Sequence, residues 1–306
     1  MTRICIILPA LNEEITVKKV IESFHNINPY DIWVVDNNSS DNTKIIAEDT
    51  INKLKNGGGV LFVESVGKGN ALRKAFNTLD YDIYVMCDAD FTYPSDMVDK
   101  LIAPIIENNA DLVIGSRRNS YKKINNRNFH NFGNKLVVFI INKLFNSNLT
   151  DVMSGYRALS KSFVRNYPLM VNSFEIETDM SIFALDNNYQ VNEIMVEYRN
   201  RPNGSISKLN TFKDGVLVLI TIFNLFRLNK PLIFFSILAL IFFIVGLVPG
   251  IVVINEYIQT QYITRIPLAI LVSMLFLCSF IFFIAGLILD SIHYHHKISR
   301  KVKNIG

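Results

Sequence analysis

The sequence has little of what several function classes require. Its three cysteines, Cys5, Cys87 and Cys278, lie far apart in apolar segments, with no C-x-x-C pair and no histidine at ligand spacing. That excludes a disulfide scaffold and a zinc module, and points to buried thiols in a reducing compartment. Only 19% of residues are charged, and the net charge of +4 includes no long Lys/Arg run interleaved with aromatics, so nucleic acid is not an expected partner. A signal peptide is not expected either: Arg3 to Leu8 is a short apolar run that ends at Pro9 and leads into acidic residues. The amino-terminal part is therefore expected in the cytoplasm.

What the chain has in excess is apolar. Half of its 306 residues are hydrophobic and the mean hydropathy is +0.25, above the range of an ordinary soluble domain. The excess sits in two uncharged stretches, Leu232 to Ile254 and Ile266 to Leu289, of about 23 and about 24 residues, each enough to cross a hydrocarbon core as a helix. A wholly soluble enzyme, a polytopic transporter and a disordered chain are excluded. The expected layout is a soluble domain over 1–207, an amphipathic membrane-surface segment over 208–230, a first span over 231–254, an external loop over 255–265, a second span over 266–289 and a basic cytoplasmic tail over 290–306.

The surface segment is read from Thr221, Asn224 and Arg227, which recur at three-residue steps among Val216, Leu217, Leu219, Ile220, Phe223 and Phe226. The stretch Asn131 to Phe145 is either a second such helix or a buried core helix. Lys208, Lys213, Arg227 and Lys230 precede the first span, and Lys297, Arg300, Lys301 and Lys303 follow the second, whereas the link holds only Arg265. The positive-inside rule then places both chain ends in the cytoplasm. His293, His295 and His296 cluster after the second span without carboxylate or cysteine partners, which fits a titratable interfacial patch better than a metal site.

Within the first 205 residues, short apolar runs recur at Ile4 to Leu8, Ile32 to Val35, Val60 to Val63, Ile83 to Cys87 and Leu112 to Ile114. Helical faces lie between them: Val17, Val20, Ile21 and Phe24, with Asn12 as the cap; Ile45, Ile46 and Leu54; Ala71, Leu72, Ala75 and Phe76; and Met97, Leu101 and Ile105. The alternation predicts an α/β domain with a doubly wound, mostly parallel sheet. Ligands of such sheets gather at the carboxyl ends of the strands, and there the polar clusters fall: Pro9 to Glu14, Asp36 to Asp41, Gly67 to Asn70, Asp88 to Asp90 and Gly115 to Arg118. In Asp88-Ala89-Asp90 the two carboxylates, two residues apart in extended chain, face one way. Such a pair calls for a hard divalent cation, Mg²⁺ or Mn²⁺, which binds through one or two carboxylates plus substrate phosphates.

Several segments resemble a known family: Ile7-Leu8-Pro9-Ala10-Leu11-Asn12-Glu13-Glu14, Val34-Val35-Asp36-Asn37-Asn38-Ser39-Ser40-Asp41 and Asp88-Ala89-Asp90 are similar to family 2 glycosyltransferases of the GT-A fold. Gly115-Ser116-Arg117, Phe132-Gly133-Asn134, Asp151-Val152-Met153-Ser154-Gly155-Tyr156-Arg157, Phe174-Glu175-Ile176-Glu177 and Arg201-Pro202-Asn203-Gly204-Ser205-Ile206-Ser207-Lys208 look like the polyprenyl-phosphate sugar transferases, the dolichyl-phosphate mannose or glucose synthase group. The resemblance implies that Pro9, Glu13, Asp36 and Lys68 line a nucleotide-sugar pocket, with Asp36 accepting from the base, and that Asp88 and Asp90 hold the metal on the diphosphate. It implies that Arg117, Ser154, Arg157, Arg199, Arg201, Ser205 and Lys208 meet the acceptor. Asp90, Asp151 and Arg117 are the implied catalytic set, Asp151 orienting the acceptor or acting as base and Glu177 orienting an arginine. The chain departs from many relatives at Asn37 and Asn131.

The expected activity is transfer of one sugar, with inversion, from a nucleotide-sugar to a dolichyl or undecaprenyl phosphate at a membrane. UDP-glucose and UDP-N-acetylglucosamine are favoured, and GDP-mannose stays open, as does a homo-oligomer. The rivals are a processive polysaccharide synthase and a non-catalytic nucleotide-sugar-binding scaffold. Synthases of the first kind share a Q-x-x-R-W motif, and the sole tryptophan here, Trp33, sits in an early strand.

Overall fold

The computed structural model describes residues 2–54, 57–118, 128–168, 176–202, 220, 223–224 and 226–303, with the side chains of 128–133, 296–297 and 299–303 left aside. The chain forms two compact units, Met1–Leu219 and Ile220–Gly306.

The first unit is built on one seven-stranded sheet: β1 (Ile4–Ala10), β2 (Asp31–Asp36), β3 (Gly58–Phe62), β4 (Ile83–Met86), β5 (Leu112–Ser116), β6 (Arg157–Ser160) and β7 (Val191–Met195), in the order β3-β2-β1-β4-β6-β5-β7. All five expected strands form. β6 and β7 have no counterpart in the apolar runs: β6 is four residues long and opens on an arginine, and β7 carries Asn192 and Glu193. β6 is the one reversed strand, antiparallel to both β4 and β5, with Arg157 opposite Met86 and Ile114. The reversal drops the segment before β6, residues 150–156, onto the carboxyl edge of the parallel strands.

Helices α1 (Val17–His25), α2 (Thr43–Leu54), α3 (Lys68–Thr78), α4 (Val98–Ile106), α5 (Asn128–Phe145), α6 (Lys161–Asn166) and α7 (Ile176–Asp186) complete this unit. Cys5, Ile6, Ile7 and Leu8 of β1 are all fully buried, because the middle of the sheet is covered on both faces. Cys5 and Cys87 are buried as expected, and burial pushes both thiols up.

Two helix readings are corrected. Asn12 does not cap α1: it sits at a φ of 49° with its Oδ1 accepting from Ser40 N–H at 2.7 Å, and the helix begins at Val17. The short polar side chain prefers this turn to a cap four residues too early. On α2 Ile46 and Leu54 pack against the core as expected, but Ile45 is exposed and the fully buried positions are Thr43, Ala47, Thr50 and Ile51, which the 3.6-residue period carries to the side away from Ile45. α5 takes neither form expected of it in full: Val137 and Ile141 are buried while Leu136 and Phe139 are exposed.

In the second unit, α8 (Pro231–Thr260) and α9 (Ile266–Lys303) are each long and apolar enough to cross a membrane. α8 is 30 residues long, about 45 Å, and continues past the end of the apolar stretch at Ile254 to Thr260, leaving 261–265 as the turn. The two helices pack through small residues, since a methyl on Gly246 would lie 3.2 Å from Leu275 Cβ and one on Gly250 3.3 Å from Val272. Ser279 Oγ donates to the Ala239 carbonyl of the neighbouring helix at 2.8 Å. Of the expected surface segment 208–230, residues 208–219, 221–222 and 225 lie outside the described residues, and 220, 223–224 and 226–229 are helical with Ile220, Phe223 and Leu228 exposed.

Candidate active site

Every parallel strand delivers its polar cluster to the same edge. β2 ends on Asp36, which is 1% exposed; Ser39 N–H reaches its Oδ2 at 3.4 Å, and its Oδ1 is buried with no hydrogen-bond partner. Orphaned carboxylate oxygens are costly, so this one is poised for a donor such as a nucleobase N–H. Asn37, beside it, donates to the Ser65 carbonyl at 2.8 Å and accepts from Gly67 N–H at 2.5 Å, so its amide holds the loop before α3. Pro9 is half-buried at the end of β1, and Glu13 follows in a turn, accepting from Thr16 Oγ1 at 3.0 Å.

Lys68 is the first residue of α3, preceded by Gly67 at a φ of 136°, which favours glycine. Its buried ammonium lies between Asp88 after β4 and Glu177 in the first turn of α7. Burial alone would lower the Lys68 pKa, but the two carboxylates raise it above the usual range. Glu177 thus takes a lysine where an arginine was expected. Asp90 accepts from Thr92 through Oδ1, at 3.1 Å from N–H and 2.5 Å from Oγ1, and from Arg201 Nη2 through Oδ2 at 2.7 Å. Arg201 also approaches Glu13 at 3.4 Å. Burial and then the Asp88 carboxylate push the Asp90 carboxyl up, against the opposing pull of Arg201 and Thr92.

Arg117, after β5, is held by Asp151, which is 0% exposed: Nε to Oδ2 at 2.7 Å, Nη2 to Oδ1 at 3.0 Å, and the Arg117 N–H to Oδ2 at 3.1 Å. Burial would raise the Asp151 carboxyl, but the guanidinium and two N–H donors hold it below the usual range. A carboxylate so occupied orients Arg117 and is a poor base. The guanidinium also lies over the Tyr198 ring, 5.4 Å from its centroid. Glu193 on β7 fixes the same loop, accepting from Thr150 and Asp151 N–H at 2.8 and 2.9 Å. Gly155 lies directly beside the Asp88 carboxylate: a methyl there would lie 2.5 Å from Asp88 Oδ2 and would have to displace it.

Two residues read as acceptor ligands face inward. Arg157 is fully buried, donating to the Ser154 and Val152 carbonyls at 2.8 and 2.7 Å and to Ser181 Oγ at 3.0 Å. Ser154 is equally buried and donates to the Gly115 carbonyl at 2.5 Å. Both brace the 151–157 loop, because their hydrogen bonds are spent on main-chain carbonyls inside the fold. Arg199 is exposed, its N–H bonded to the Thr92 carbonyl at 2.8 Å. Ser205 and Lys208 lie outside the described residues. Tyr93, whose hydroxyl accepts from Gly155 N–H at 3.0 Å, carried no sequence signal beyond its type, and neither did Tyr198 or Glu193, since each acts through a partner far away in the chain.

Residues 5–167 match the glycosyl transferase family 2 profile. The chain belongs to that family. Among its relatives are the glycosyltransferase AglJ of Haloferax volcanii, 28% identical over 76% of this chain and 75% of AglJ, and a UDP-N-acetylglucosamine–dolichyl-phosphate N-acetylglucosaminyltransferase of Methanococcus voltae, 31% identical over 63% of this chain and 84% of that protein. Glucosyl-3-phosphoglycerate synthase of Mycobacterium tuberculosis shares the fold, with a TM-score of 0.58 at 21% identity over 73% of this chain and 80% of that one. That enzyme has also been crystallised with Mn²⁺, uridine diphosphate and phosphoglyceric acid. The chain is therefore a glycosyltransferase with a GT-A catalytic domain.

The donor set of the family 2 site suits a divalent cation. Asp88 and Asp90 leave one turn together, and each already sits against a positive side chain. Among the described residues no group of three or more His, Cys, Asp or Glu side chains is arranged to hold a metal, so the remaining ligands of a bound ion would be diphosphate oxygens and water.

Proposed function

We propose that the protein transfers a single sugar from a UDP-sugar to a polyprenyl phosphate, with inversion, on the cytoplasmic face of a membrane. The observation that carries this reading is the joining, on one sheet edge, of a carboxylate pair with a rigidly oriented arginine, Arg117, in a chain with two helices of membrane-spanning length. The dolichyl-phosphate relative supports the same acceptor class. A lipid phosphate has a second pKa of about 6 and arrives largely ionised, so it needs orientation more than deprotonation. Arg117, locked by Asp151 and stacked on Tyr198, supplies a planar two-pronged donor for it. Arg199 and Arg201 add charge on the same edge, and Asp36 Oδ1 reads the base N–H. A divalent cation on Asp88 and Asp90 would neutralise charge on the departing nucleoside diphosphate. Arg157 and Ser154 act through the loop they brace.

The test is incubation of the full-length protein with a panel of nucleotide-sugars and a short polyprenyl phosphate, with mass spectrometry of the lipid. One added hexose or N-acetylhexosamine per lipid is expected, and none on the matching polyprenyl alcohol. Transfer to the alcohol, or a ladder of sugars on one lipid, overturns the reading and favours a processive synthase. For topology, the link between the spans carries Arg265 as its one cation, against several Lys and Arg residues flanking the two spans on their other sides, which supports an external turn. A single cysteine at Gln259 should react with an impermeant reagent on intact cells, and one at Asn304 should not; the reverse pattern inverts the topology.

A further inference from the structure

Two bridges of the same design flank the carboxylate pair. Lys68 joins Asp88 to Glu177, and Arg201 joins Asp90 to Glu13. Each sets a protein cation between one carboxylate of the Asp88-Ala89-Asp90 turn and one from elsewhere in the fold, the β1–α1 turn or the start of α7. Four carboxylates against two cations leave these six side chains at a net −2, the charge that one divalent ion cancels. The bridges are also graded in exposure: the Lys68 and Glu177 side chains are 9% and 6% exposed, whereas Asp88 keeps 31%. Glu177 is the closed end of its bridge and Asp88 the open one.

We propose that Lys68 and Arg201 are stand-in cations, that a divalent ion enters by exchange, taking Asp88 and Asp90 from them, and that Glu177 and Glu13 are positioning residues that retain the displaced lysine and arginine beside the incoming diphosphate. The proposal rests on the assignment of Asp88 and Asp90 as the metal carboxylates. Its physical basis is competition: an ion that must break two charge-assisted bonds binds weakly alone and well with a nucleoside diphosphate, whose own charge accepts the released side chains. Without Glu177, Lys68 has Asp88 as its remaining ion-pair partner, and the competition sharpens.

The experiment measures Mn²⁺ binding to the full-length protein by electron paramagnetic resonance, without sugar or acceptor, with and without UDP. Lys68→Met should bind Mn²⁺ alone about tenfold more tightly than the unaltered protein, the low end of what one adjacent charge does in a partly solvated site. The same variant should bind UDP more weakly when Mn²⁺ is present. Glu177→Gln should weaken Mn²⁺ binding severalfold in the unaltered background and much less in the Lys68→Met background. Arg201→Gln, at a more exposed position, should tighten Mn²⁺ binding by a smaller factor, and covers the case that Lys68→Met does not fold. Unchanged or weaker Mn²⁺ binding in Lys68→Met, or in Arg201→Gln if Lys68→Met does not fold, overturns the exchange, as do equal effects of Glu177→Gln in the two backgrounds. Absence of any Mn²⁺ binding to the unaltered protein, with or without UDP, removes the metal assignment itself, a separate failure.

Discussion

The two edges of the sheet hold ion pairs of the same chemistry in opposite settings. On the amino edge, Asp80 is ringed by Lys161 at 2.7 Å, Arg165 at 3.3 Å and Arg3 at 3.5 Å, yet its side chain is 61% exposed. On the carboxyl edge, Asp151 meets Arg117 at the same 2.7 Å with its side chain fully buried. Water screens the first cluster and leaves it little to contribute, whereas the second is a desolvated pair whose loss strands a charge. Distance is the same; burial decides which pair matters, and the buried pair is the one aimed at the site.

That contrast can be broken or sharpened by mutation. The largest effect is expected for Asp90→Ala, which should lower turnover by about a thousandfold or more with the fold intact, by removing a carboxylate from the metal on the leaving diphosphate. Assays with and without EDTA beside circular dichroism check it, and turnover that survives both treatments would remove the metal from the mechanism. Asp151→Ala should destabilise the domain by about 2–4 kcal/mol in denaturant titrations and weaken acceptor use, because Arg117 is left largely desolvated and unsteered. Gly155→Ala should cost about 1–3 kcal/mol through the clash with Asp88, and should lower kcat more than nucleotide affinity. Asp80→Ala should leave the unfolding midpoint and the activity within error.

The pH dependence tests the buried pair directly. The Asp151 carboxyl is held below its ordinary value in the fold, so its stabilisation is complete above the unfolded carboxylate pKa of about 3.9 and is lost as pH falls through the lowered folded value. Acid unfolding of Asp151→Asn should lack that component and show a flatter slope below about pH 4. An unchanged slope would mean that the pair is not desolvated in solution.

Much of this was legible along the chain because it depends on local pattern. The apolar runs marked five strands, and the residues at their ends were chemically coherent before any contact was known, since a parallel sheet sends all those ends to one edge. The two long apolar stretches announced their helices for the same reason: about 20 uncharged residues leave few other structures open. The misreadings came where a side chain had two uses. Asn12 has a turn to make before it has a helix to cap, and the motif that holds Arg157 and Ser154 says nothing about the direction of their side chains.

What the linear order settled was therefore the strand-end chemistry, the membrane-length helices and the carboxylate pair, all carried by neighbours within a few residues. What only the tertiary structure decided was orientation and partnership. A four-residue strand reversed between β4 and β5 brought Asp151 to Arg117 across 34 residues and Gly155 against Asp88, and burial of its first residue, Arg157, left that side chain bonded to the loop. Lys68 found Glu177 across 109 residues. Such pairings are set by strand direction and by burial, both properties of the packed sheet, because a charge selects its partner only after the fold has removed the water between them.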